Sequence, residues 1–309
     1  MCGFVGFANF EEDISKKEAM KAKNNQKVVV EITKLPKKDK SAEGKIIEII
    51  GYIDQAGVDM MSLIKEYDLP YEFPEPVLKE ARNISQEVDI NDIKNRKDLR
   101  KEEIFTIDGE DAKDLDDAVN VKKLDNGNYL LGVHIADVSH YVREGSFLDK
   151  EAIIRGTSVY MLDRVIPMLP VELSNGICSL NAGKDRFAIS CMMEINTKGQ
   201  VISSDIFKSV INVTERMTYT NVQKILDNSD KEITKKYAKY IEDFKLMGEL
   251  AHILKNRRAK DGSLNLDIPE SKVVLNEKGI AIDIKKYELT FANEIIEQFM
   301  LTANETVAE

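Results

Sequence analysis

The sequence lacks several features that would assign it to a specialised class of protein. Its 309 residues include three cysteines, Cys2, Cys178 and Cys191, which form no CxxC motif and no paired framework. No apolar run reaches the length that spans a bilayer, and the N-terminus lacks the basic region, apolar core and cleavage site of a secretory signal. These absences predict a protein of the reducing cytoplasm without a membrane segment.

An excess of positive charge is also missing. Lys and Arg total 44 residues against 54 Asp and Glu, and the formal net charge is -10. This balance argues against a protein that coats nucleic acid indiscriminately, but it is compatible with an enzyme that holds RNA in a local basic groove. With 43% hydrophobic residues, the chain has enough apolar side chains for a sizeable core, and its length favours two globular units.

The most informative segment is a short acidic stretch that ends at Val119. Directly before a predicted β-hairpin, it places four carboxylates within ten positions: Asp108, Asp114, Asp116 and Asp117. Hard divalent cations such as Mg²⁺ prefer oxygen ligands and accompany phosphate-ester chemistry. An EF-hand calcium loop does not fit, because its required Gly and Glu are out of register. The spacing alone leaves an acidic surface loop as an equal alternative.

The predicted hairpin spans residues 118–136. Its turn is centred on Asn126, followed by a glycine, because both residue types tolerate the positive φ of a tight turn. This register pairs Ala118 with His134. It brings Asp137 to the same end of the hairpin as Asp116 and Asp117. Alternating apolar residues around His134 predict a structural histidine, and His140 is predicted to be structural as well.

Apolar periodicity and turn residues predict the remaining elements. Short helices are expected over residues 59–67 and 76–84, and one long amphipathic helix is expected over residues 233–254. A second hairpin is expected over residues 272–284, followed by a final helix over residues 290–309. The sequence leaves open whether this last helix has the partner that would bury three of its apolar side chains, those of Phe291, Ile295 and Phe299.

The N-terminal region carries two partial resemblances. Met1-Cys2-Gly3-Phe4-Val5-Gly6-Phe7 resembles the start of class II glutamine amidotransferase domains, in which removal of Met exposes a cysteine nucleophile, but the likeness ends after about ten residues. The alternative for Cys2 is a place in a short apolar segment. Two β-branched runs follow within residues 25–60, and they resemble the closing strands of a cold-shock, OB-type barrel.

Five motifs in order carry the main resemblance. They are Thr106-Ile-Asp-Gly-Glu-Asp-Ala-Lys-Asp-Leu-Asp-Asp-Ala, His134-Ile-Ala-Asp-Val-Ser-His-Tyr-Val142, Arg155-Gly-Thr-Ser-Val-Tyr160, Ile166-Pro-Met-Leu-Pro170 and Leu173-Ser-Asn-Gly-Ile-Cys-Ser-Leu180. Together they resemble the catalytic (RNB) domain of the ribonuclease II and ribonuclease R family. The resemblance implies a mixed α/β fold and a processive Mg²⁺-dependent exoribonuclease, which degrades single-stranded RNA from its 3′ end to 5′-mononucleotides.

The same resemblance implies roles for individual residues. The four aspartates match the family's metal set, which holds two Mg²⁺ ions, and Asp116 and Asp117 match its catalytic residues. Four further positions match RNA contacts: Tyr160, Tyr219, Glu297 and Leu266. Glu297 matches a glutamate near the terminal ribose, whereas Gln298 replaces a second family glutamate. Leu266 stands where the family commonly has a phenylalanine, and leucine cannot stack on a base.

The predicted organisation has four segments. Residues 1–24 are unassigned, residues 25–60 form a partial OB/cold-shock-like segment, residues 61–103 form a helical linker, and residues 104–309 form a catalytic domain that is incomplete at its C-terminus. We expect a monomer that binds RNA and no membrane. The main alternative is a non-catalytic RNA-binding fragment of such an enzyme, and a less favoured one is an amidotransferase fragment that uses Cys2.

Overall fold

The structure is a computed structural model, and it describes residues 4–7, 22–38, 41–264 and 270–309. The strands are β1 (Phe4–Phe7), β2 (Gln26–Lys34), β3 (Glu43–Tyr52), β4 (Lys97–Asp98), β5 (Phe105–Asp108), β6 (Asp117–Lys123), β7 (Tyr129–Ala136), β8 (Val159–Tyr160), β9 (Val165–Ile166), β10 (Asp185–Ile195), β11 (Val201–Asn212), β12 (Glu215–Thr218), β13 (Glu270–Leu275) and β14 (Ala281–Tyr287).

The α-helices are α1 (Val58–Glu66), α2 (Glu75–Arg82), α3 (Ile90–Ile93), α4 (Val138–Tyr141), α5 (Phe147–Arg155), α6 (Tyr219–Leu226), α7 (Lys231–Lys236), α8 (Ile241–Lys260) and α9 (Phe291–Ala308). A π-helix spans Glu172–Ile177, and a 3-10 helix spans Ala238–Tyr240. The two short helices predicted near residues 59 and 76 are confirmed as α1 and α2. In the described part of the chain, every helix is too short or too polar to cross a membrane.

The chain divides into two compact units, and the first combines Met1–Glu75, Glu151–Met168 and Glu270–Tyr287. Its described strands form an antiparallel sheet in the order β1-β2-β3, together with the hairpins β8-β9 and β13-β14. The apolar N-terminal strand is therefore hydrogen-bonded to the strands that follow it, with Phe4 opposite Val30. Cys2, the candidate amidotransferase nucleophile, lies outside the described residues.

The second unit combines Pro76–Lys150, Leu169–Pro269 and Glu288–Glu309. Its described strands form a sheet in the order β12-β5-β6-β7-β10-β11-β4, in which β12 and β4 run parallel to their neighbours. The predicted hairpin is confirmed as β6 and β7, with Ala118 opposite His134. At its turn, Gly127 has a φ of 83°, which explains why a residue without a side chain stands there.

One face of this sheet packs against α6, α8 and α9. Leu131 and Met193 of the sheet share a buried cluster with Phe244 and Met247 of α8 and Phe299 of α9. Burial of this apolar surface provides the main stabilisation of the unit.

The final helix has a packing partner within the second unit, a point that the sequence left open. Ile295 and Phe299 are fully buried, and the Phe291 ring stacks on His252 of α8 at 4.2 Å between centroids. The helix begins with a capping box in which Thr290 and Asn293 satisfy each other's backbone groups.

The long helix predicted over residues 233–254 is interrupted. Asp230 caps α7, the chain then passes through a 3-10 turn near Tyr237, and α8 starts at Ile241. A 3-10 turn keeps residues i and i+3 on one side, so Tyr237 and Tyr240 both contact the core. Apolar spacing identified the buried side chains correctly, but it could not distinguish this turn from a continuous helix.

Candidate active site

Two neighbouring strands bring the predicted metal-binding aspartates to one end of the sheet. β5 ends at Asp108, β6 begins at Asp117, and the two strands run antiparallel. The irregular segment between them, residues 109–116, is the acidic loop, and it carries Asp114 and Asp116. Because the loop turns back between adjacent strands, the four carboxylates of this acidic set lie close enough to affect one another's ionisation.

An arginine from a third strand holds the first half of the acidic loop. Arg216 lies on β12, which pairs parallel to β5. Its Nη2 donates hydrogen bonds to the backbone oxygens of Gly109 at 3.3 Å, Glu110 at 2.9 Å and Ala112 at 2.8 Å. Three carbonyl oxygens of one loop therefore converge on a single guanidinium group.

A serine holds the second half of the loop. Ser179 follows the π-helix, and its hydroxyl donates to the Lys113 oxygen at 2.8 Å and accepts from the Leu115 nitrogen at 3.1 Å. The Leu180 nitrogen donates to the Leu115 oxygen at 2.8 Å, and the Leu115 side chain is buried. The first half of the loop is thus held by the Arg216 side chain, and the second half by the Ser179 side chain and the Leu180 backbone. None of these groups is a carboxylate.

Burial and mutual repulsion disfavour ionisation of the acidic set. Desolvation, with the charge of Asp117, raises the pKa of Asp108 to about 7, although Arg216 acts in the opposite direction. Desolvation, with the charges of Asp114 and Asp117, raises the pKa of Asp116 to about 6. Desolvation also raises the pKa of Asp117. A site that concentrates anionic groups in this way is stabilised by a bound cation.

The donor chemistry of the acidic set fits Mg²⁺. Oδ2 of Asp108 is buried and accepts no hydrogen bond, which leaves a carboxylate oxygen available to a ligand. Among the residues that the structure describes, however, no three acidic, histidine or cysteine side chains already converge as a metal-binding group. The fit therefore lies in donor type, charge and proximity, and binding requires the carboxylates to turn toward a common point.

Asp137, predicted at the same hairpin end, has a different role. Its buried carboxylate accepts from Arg96 at 2.6 Å and from the Ser139 hydroxyl at 2.7 Å. Although burial acts to raise its pKa, these hydrogen bonds lower the pKa below its usual value. The Arg96 guanidinium also lies 4.0 Å from the Phe187 ring centroid. Asp137 is thus half of a structural ion pair.

Comparison with known proteins identifies the fold that carries this acidic set. A model of the RNB domain matches residues 96–309, which include all four aspartates. The chain belongs to the RNB domain family. A model of the cold shock domain matches residues 9–74, and the RNB domain is thus preceded by a cold-shock, OB-like segment. The boundaries at residues 24, 60 and 103 stay predictions.

Named relatives extend the similarity beyond the RNB domain. Ribonuclease R of Thermotoga maritima is 51% identical over 291 residues, which are 93% of this chain and 41% of that protein. Ribonuclease R 1 of Lactococcus lactis is 50% identical over 293 residues, which are 94% of this chain and 36% of that protein. The chain therefore spans about two fifths of the length of these relatives.

A solved structure supports the same fold. Mycoplasma genitalium RNase R in complex with double-stranded RNA matches with a TM-score of 0.88 and 27% sequence identity. The match covers 95% of this chain and 52% of that chain.

The predicted RNA contacts have different surroundings. In the RNB domain, Tyr219 opens α6 directly after Thr218, which pairs with Asp108, so its backbone lies beside the acidic set. Glu297 is exposed on α9. Tyr160 belongs to the first unit, where it is 67% exposed on the β8-β9 hairpin. Leu266 lies outside the described residues.

The position of a second family glutamate has a structural use in this chain. Gln298 is buried, and its Oε1 accepts a hydrogen bond from Arg258 of α8 at 3.1 Å. Its side chain is therefore engaged between two helices of the RNB domain.

The histidine predictions are confirmed as structural. His134 is fully buried between Ser190 and Asn120, and burial lowers its pKa to about 4. His140 lies within 3.3 Å of Arg96 and 3.4 Å of Asp92.

Sequence reasoning missed the two residues that hold the acidic loop, Arg216 and Ser179. Both lie in segments that carried the family resemblance, Arg216 three residues before Tyr219 and Ser179 within the motif that ends at Leu180. Their role depends on contacts between distant strands, which motif spacing does not reveal.

Proposed function

We propose that this chain carries the active site of a Mg²⁺-dependent exoribonuclease that degrades single-stranded RNA from its 3′ end and releases 5′-mononucleotides. The observation that supports this most strongly is the acidic set, in which desolvation and neighbouring charges raise the pKa values of Asp108 and Asp116 and an oxygen of Asp108 has no hydrogen bond. The similarity to proteins named ribonuclease R supports the choice of RNA as the substrate.

We propose that the acidic set binds two Mg²⁺ ions. When bound, these ions supply activation of a water molecule and charge stabilisation at the leaving 3′-oxygen. Asp108 and Asp114 serve as ligands, while Asp116 and Asp117 serve both as ligands and as the catalytic residues that orient the attacking water. The hydrogen bonds from Arg216 and Ser179 keep the loop that carries Asp114 and Asp116 in place.

The RNA contacts are proposals of the same kind. Tyr160 provides a ring for the 3′-terminal nucleotide, since base-aromatic stacking is tolerant of sequence. Tyr219 is assigned only to a contact with RNA. Glu297 accepts a hydrogen bond from a 2′-hydroxyl, a contact that favours RNA over DNA. Leu266 gives only apolar packing, so a stacking contribution on the order of 1 kcal/mol is absent at that position. A monomer acting in the cytoplasm remains our prediction for its assembly and location.

A single experiment tests this function. The full chain is incubated with a 5′-labelled single-stranded oligoribonucleotide, with Mg²⁺ or with EDTA, and products are separated by gel and by chromatography. We expect stepwise shortening from the 3′ end and 5′-mononucleotides only when Mg²⁺ is present. Asp116→Asn is the matched control, since it preserves the size of the side chain and removes its charge. A DNA oligonucleotide of the same sequence tests the requirement for the 2′-hydroxyl.

A non-catalytic RNA-binding role is the second candidate. It is favoured by the finding that, in the described residues, the carboxylates do not yet converge as a metal-binding group. This role predicts Mg²⁺-independent retention of the oligoribonucleotide without release of mononucleotides, and an Asp116→Asn variant that binds RNA as the unaltered chain does. Release of mononucleotides that depends on both Mg²⁺ and Asp116 would eliminate it.

A further inference from the structure

Arg216 is a cation close enough to Asp108 to affect its pKa, yet its hydrogen bonds go to backbone oxygens. Within the described residues it forms no ion pair, and its Nη2 donates to the oxygens of Gly109, Glu110 and Ala112. An arginine usually engages a nearby carboxylate through its planar fork of donors. Here the backbone oxygens of the loop accept the hydrogen bonds that the Asp108 carboxylate would otherwise accept.

The position of Arg216 is fixed by the sheet. Its residue pairs with Thr106, and two residues later Thr218 pairs with Asp108, because β12 and β5 are parallel. The first part of the acidic loop is thus attached to the same pair of strands that positions Asp108. Any movement of residues 109–112 away from Asp108 must break hydrogen bonds to Arg216.

An arginine beside a metal site would ordinarily both form an ion pair with a carboxylate and lower the pKa of that carboxylate. Here the charge acts on Asp108 without an ion pair. An ion pair between Arg216 and Asp108 would occupy carboxylate oxygens that a cation needs. The guanidinium engages the carbonyl oxygens through Nη2, while its buried Nε has no hydrogen-bond partner. Oδ2 of Asp108 also has no partner, so the two side chains form no ion pair, and the arginine charge only opposes the rise in the pKa of Asp108.

We propose that Arg216 is a positioning residue for Mg²⁺ binding, which holds residues 109–112 of the acidic loop against the strand that carries Asp108. The inference rests on the proposed function only in assigning Mg²⁺ to the acidic set. It does not require that the chain hydrolyse RNA.

The experiment uses the full chain with Arg216→Met, Arg216→Lys and the matched control Arg257→Met. Arg257 also donates to a backbone oxygen, that of Gly199 at 2.8 Å, but it lies on α8 outside the acidic site. Mg²⁺ affinity is measured by titration calorimetry with MgCl₂ alone. Hydrogen exchange of the amides of residues 109–115 is followed without metal.

A purely electrostatic role of Arg216 and a role in positioning the loop predict opposite changes in the Mg²⁺ affinity of Arg216→Met. Removal of the positive charge near Asp108 strengthens Mg²⁺ binding if Arg216 acts only through its charge. If Arg216 positions the loop, Mg²⁺ affinity falls by about tenfold or more, as for other residues that support metal ligands, and residues 109–115 exchange faster. Arg216→Lys keeps the charge and can reach some of the carbonyl oxygens, so it restores part of both properties. Arg257→Met leaves both unchanged.

Tighter or unchanged Mg²⁺ binding by Arg216→Met would overturn the proposal, and so would weaker binding without faster loop exchange. If Arg216→Met does not fold, Arg216→Lys decides, because normal affinity with normal exchange in that variant would also overturn it. Weakened Mg²⁺ binding with a mobile loop, in a chain whose unaltered form does not degrade RNA, would support this inference and contradict the proposed function.

Discussion

Two polar clusters on the same sheet differ in how their hydrogen-bonding groups are satisfied. The buried polar network consists of Asn120, His134, Ser190 and Ser209, on four successive strands. The acidic set lies at the junction of β5 and β6. In the network, one ring nitrogen of His134 lies 2.7 Å from the Ser190 hydroxyl and the other lies 3.2 Å from Oδ1 of Asn120.

The contrast separates a structural polar cluster from a functional one. The Ser190 hydroxyl also forms a hydrogen bond with the Ser209 hydroxyl at 2.7 Å, so the partners of the network lie within the protein. Burial keeps His134 neutral by lowering its pKa to about 4. The acidic set has an unpartnered oxygen on Asp108 and raised pKa values on several members. Desolvation shifts pKa values in both clusters, and what points to an external ligand is the oxygen of the acidic set that lacks an internal partner.

The largest expected effect is on activity. If the acidic set is the reaction centre, Asp116→Asn lowers kcat by about a thousandfold, since the lost charge stabilisation is worth several kcal/mol and each 1.4 kcal/mol is tenfold in rate. The same change raises the unfolding midpoint of the metal-free protein, because it removes one of several repelling charges. Steady-state kinetics and thermal unfolding in EDTA measure the two effects. A variant that loses activity and stability together would make the acidic set structural.

His134→Ala is expected to have the opposite effects, a loss of stability with little loss of activity. It leaves Asn120 and Ser190 without their partner inside the core and creates a cavity, so the free energy of unfolding falls by about 2–4 kcal/mol. Activity per folded molecule stays within a few fold of the unaltered chain, because the network touches no proposed reacting group. Chemical denaturation measures the loss. The comparison variant is His252→Ala, which removes an exposed histidine that stacks on Phe291, and its expected loss of about 1 kcal/mol is smaller than that at His134.

Gly132→Ala tests how closely the network is packed. A Cβ atom at this position would lie 2.1 Å from Oδ1 of Asn120 and 2.9 Å from both Nε2 of His134 and the sulfur of Met192. We expect a loss of about 1–3 kcal/mol in the free energy of unfolding, as for other overpacked sites. Gly109→Ala is the matched control for stability, because its added methyl group meets no atom within 4 Å. Equal stability of the two variants would contradict the packing argument.

The sequence predicted more of the acidic set than of its support. The turn residues around Asn126 predicted the β6-β7 register correctly, whereas the four carboxylates before a strand predicted a metal site only together with the family resemblance. Local spacing could not assign Asp137 to Arg96, 41 residues away, because ion pairs between distant segments depend on tertiary packing. For the same reason, the hydrogen bonds from Arg216 to a loop more than 100 residues earlier left no signal in any single motif.

The smallest expected effect is a difference in pH dependence, and it has opposite signs in the two clusters. Asp108 has a folded pKa of about 7 against an ordinary value of 3.8, so the folded metal-free protein binds more protons than the unfolded chain between these values. Its contribution to stability is therefore complete below about pH 4 and is lost as the pH rises toward 7. His134, with a folded pKa of about 4 against 6.5, contributes stability above pH 6.5 that is lost as the pH falls toward 4.

Because these contributions partly cancel in the unaltered chain, they are separated by variants measured in EDTA. Relative to the unaltered chain, Asp108→Asn gains about 1–2 kcal/mol in free energy of unfolding between pH 4 and pH 7, a figure reduced from the full pKa difference because the carboxylate is only partly buried. His134→Ala, by the same comparison, recovers part of its deficit as the pH falls from 6.5 toward 4. Mg²⁺ at pH 7 should stabilise the unaltered chain by mass action and have less effect on Asp108→Asn. If the stability difference for Asp108→Asn does not change with pH, the acidic set is not under the electrostatic strain that distinguishes it from the buried polar network.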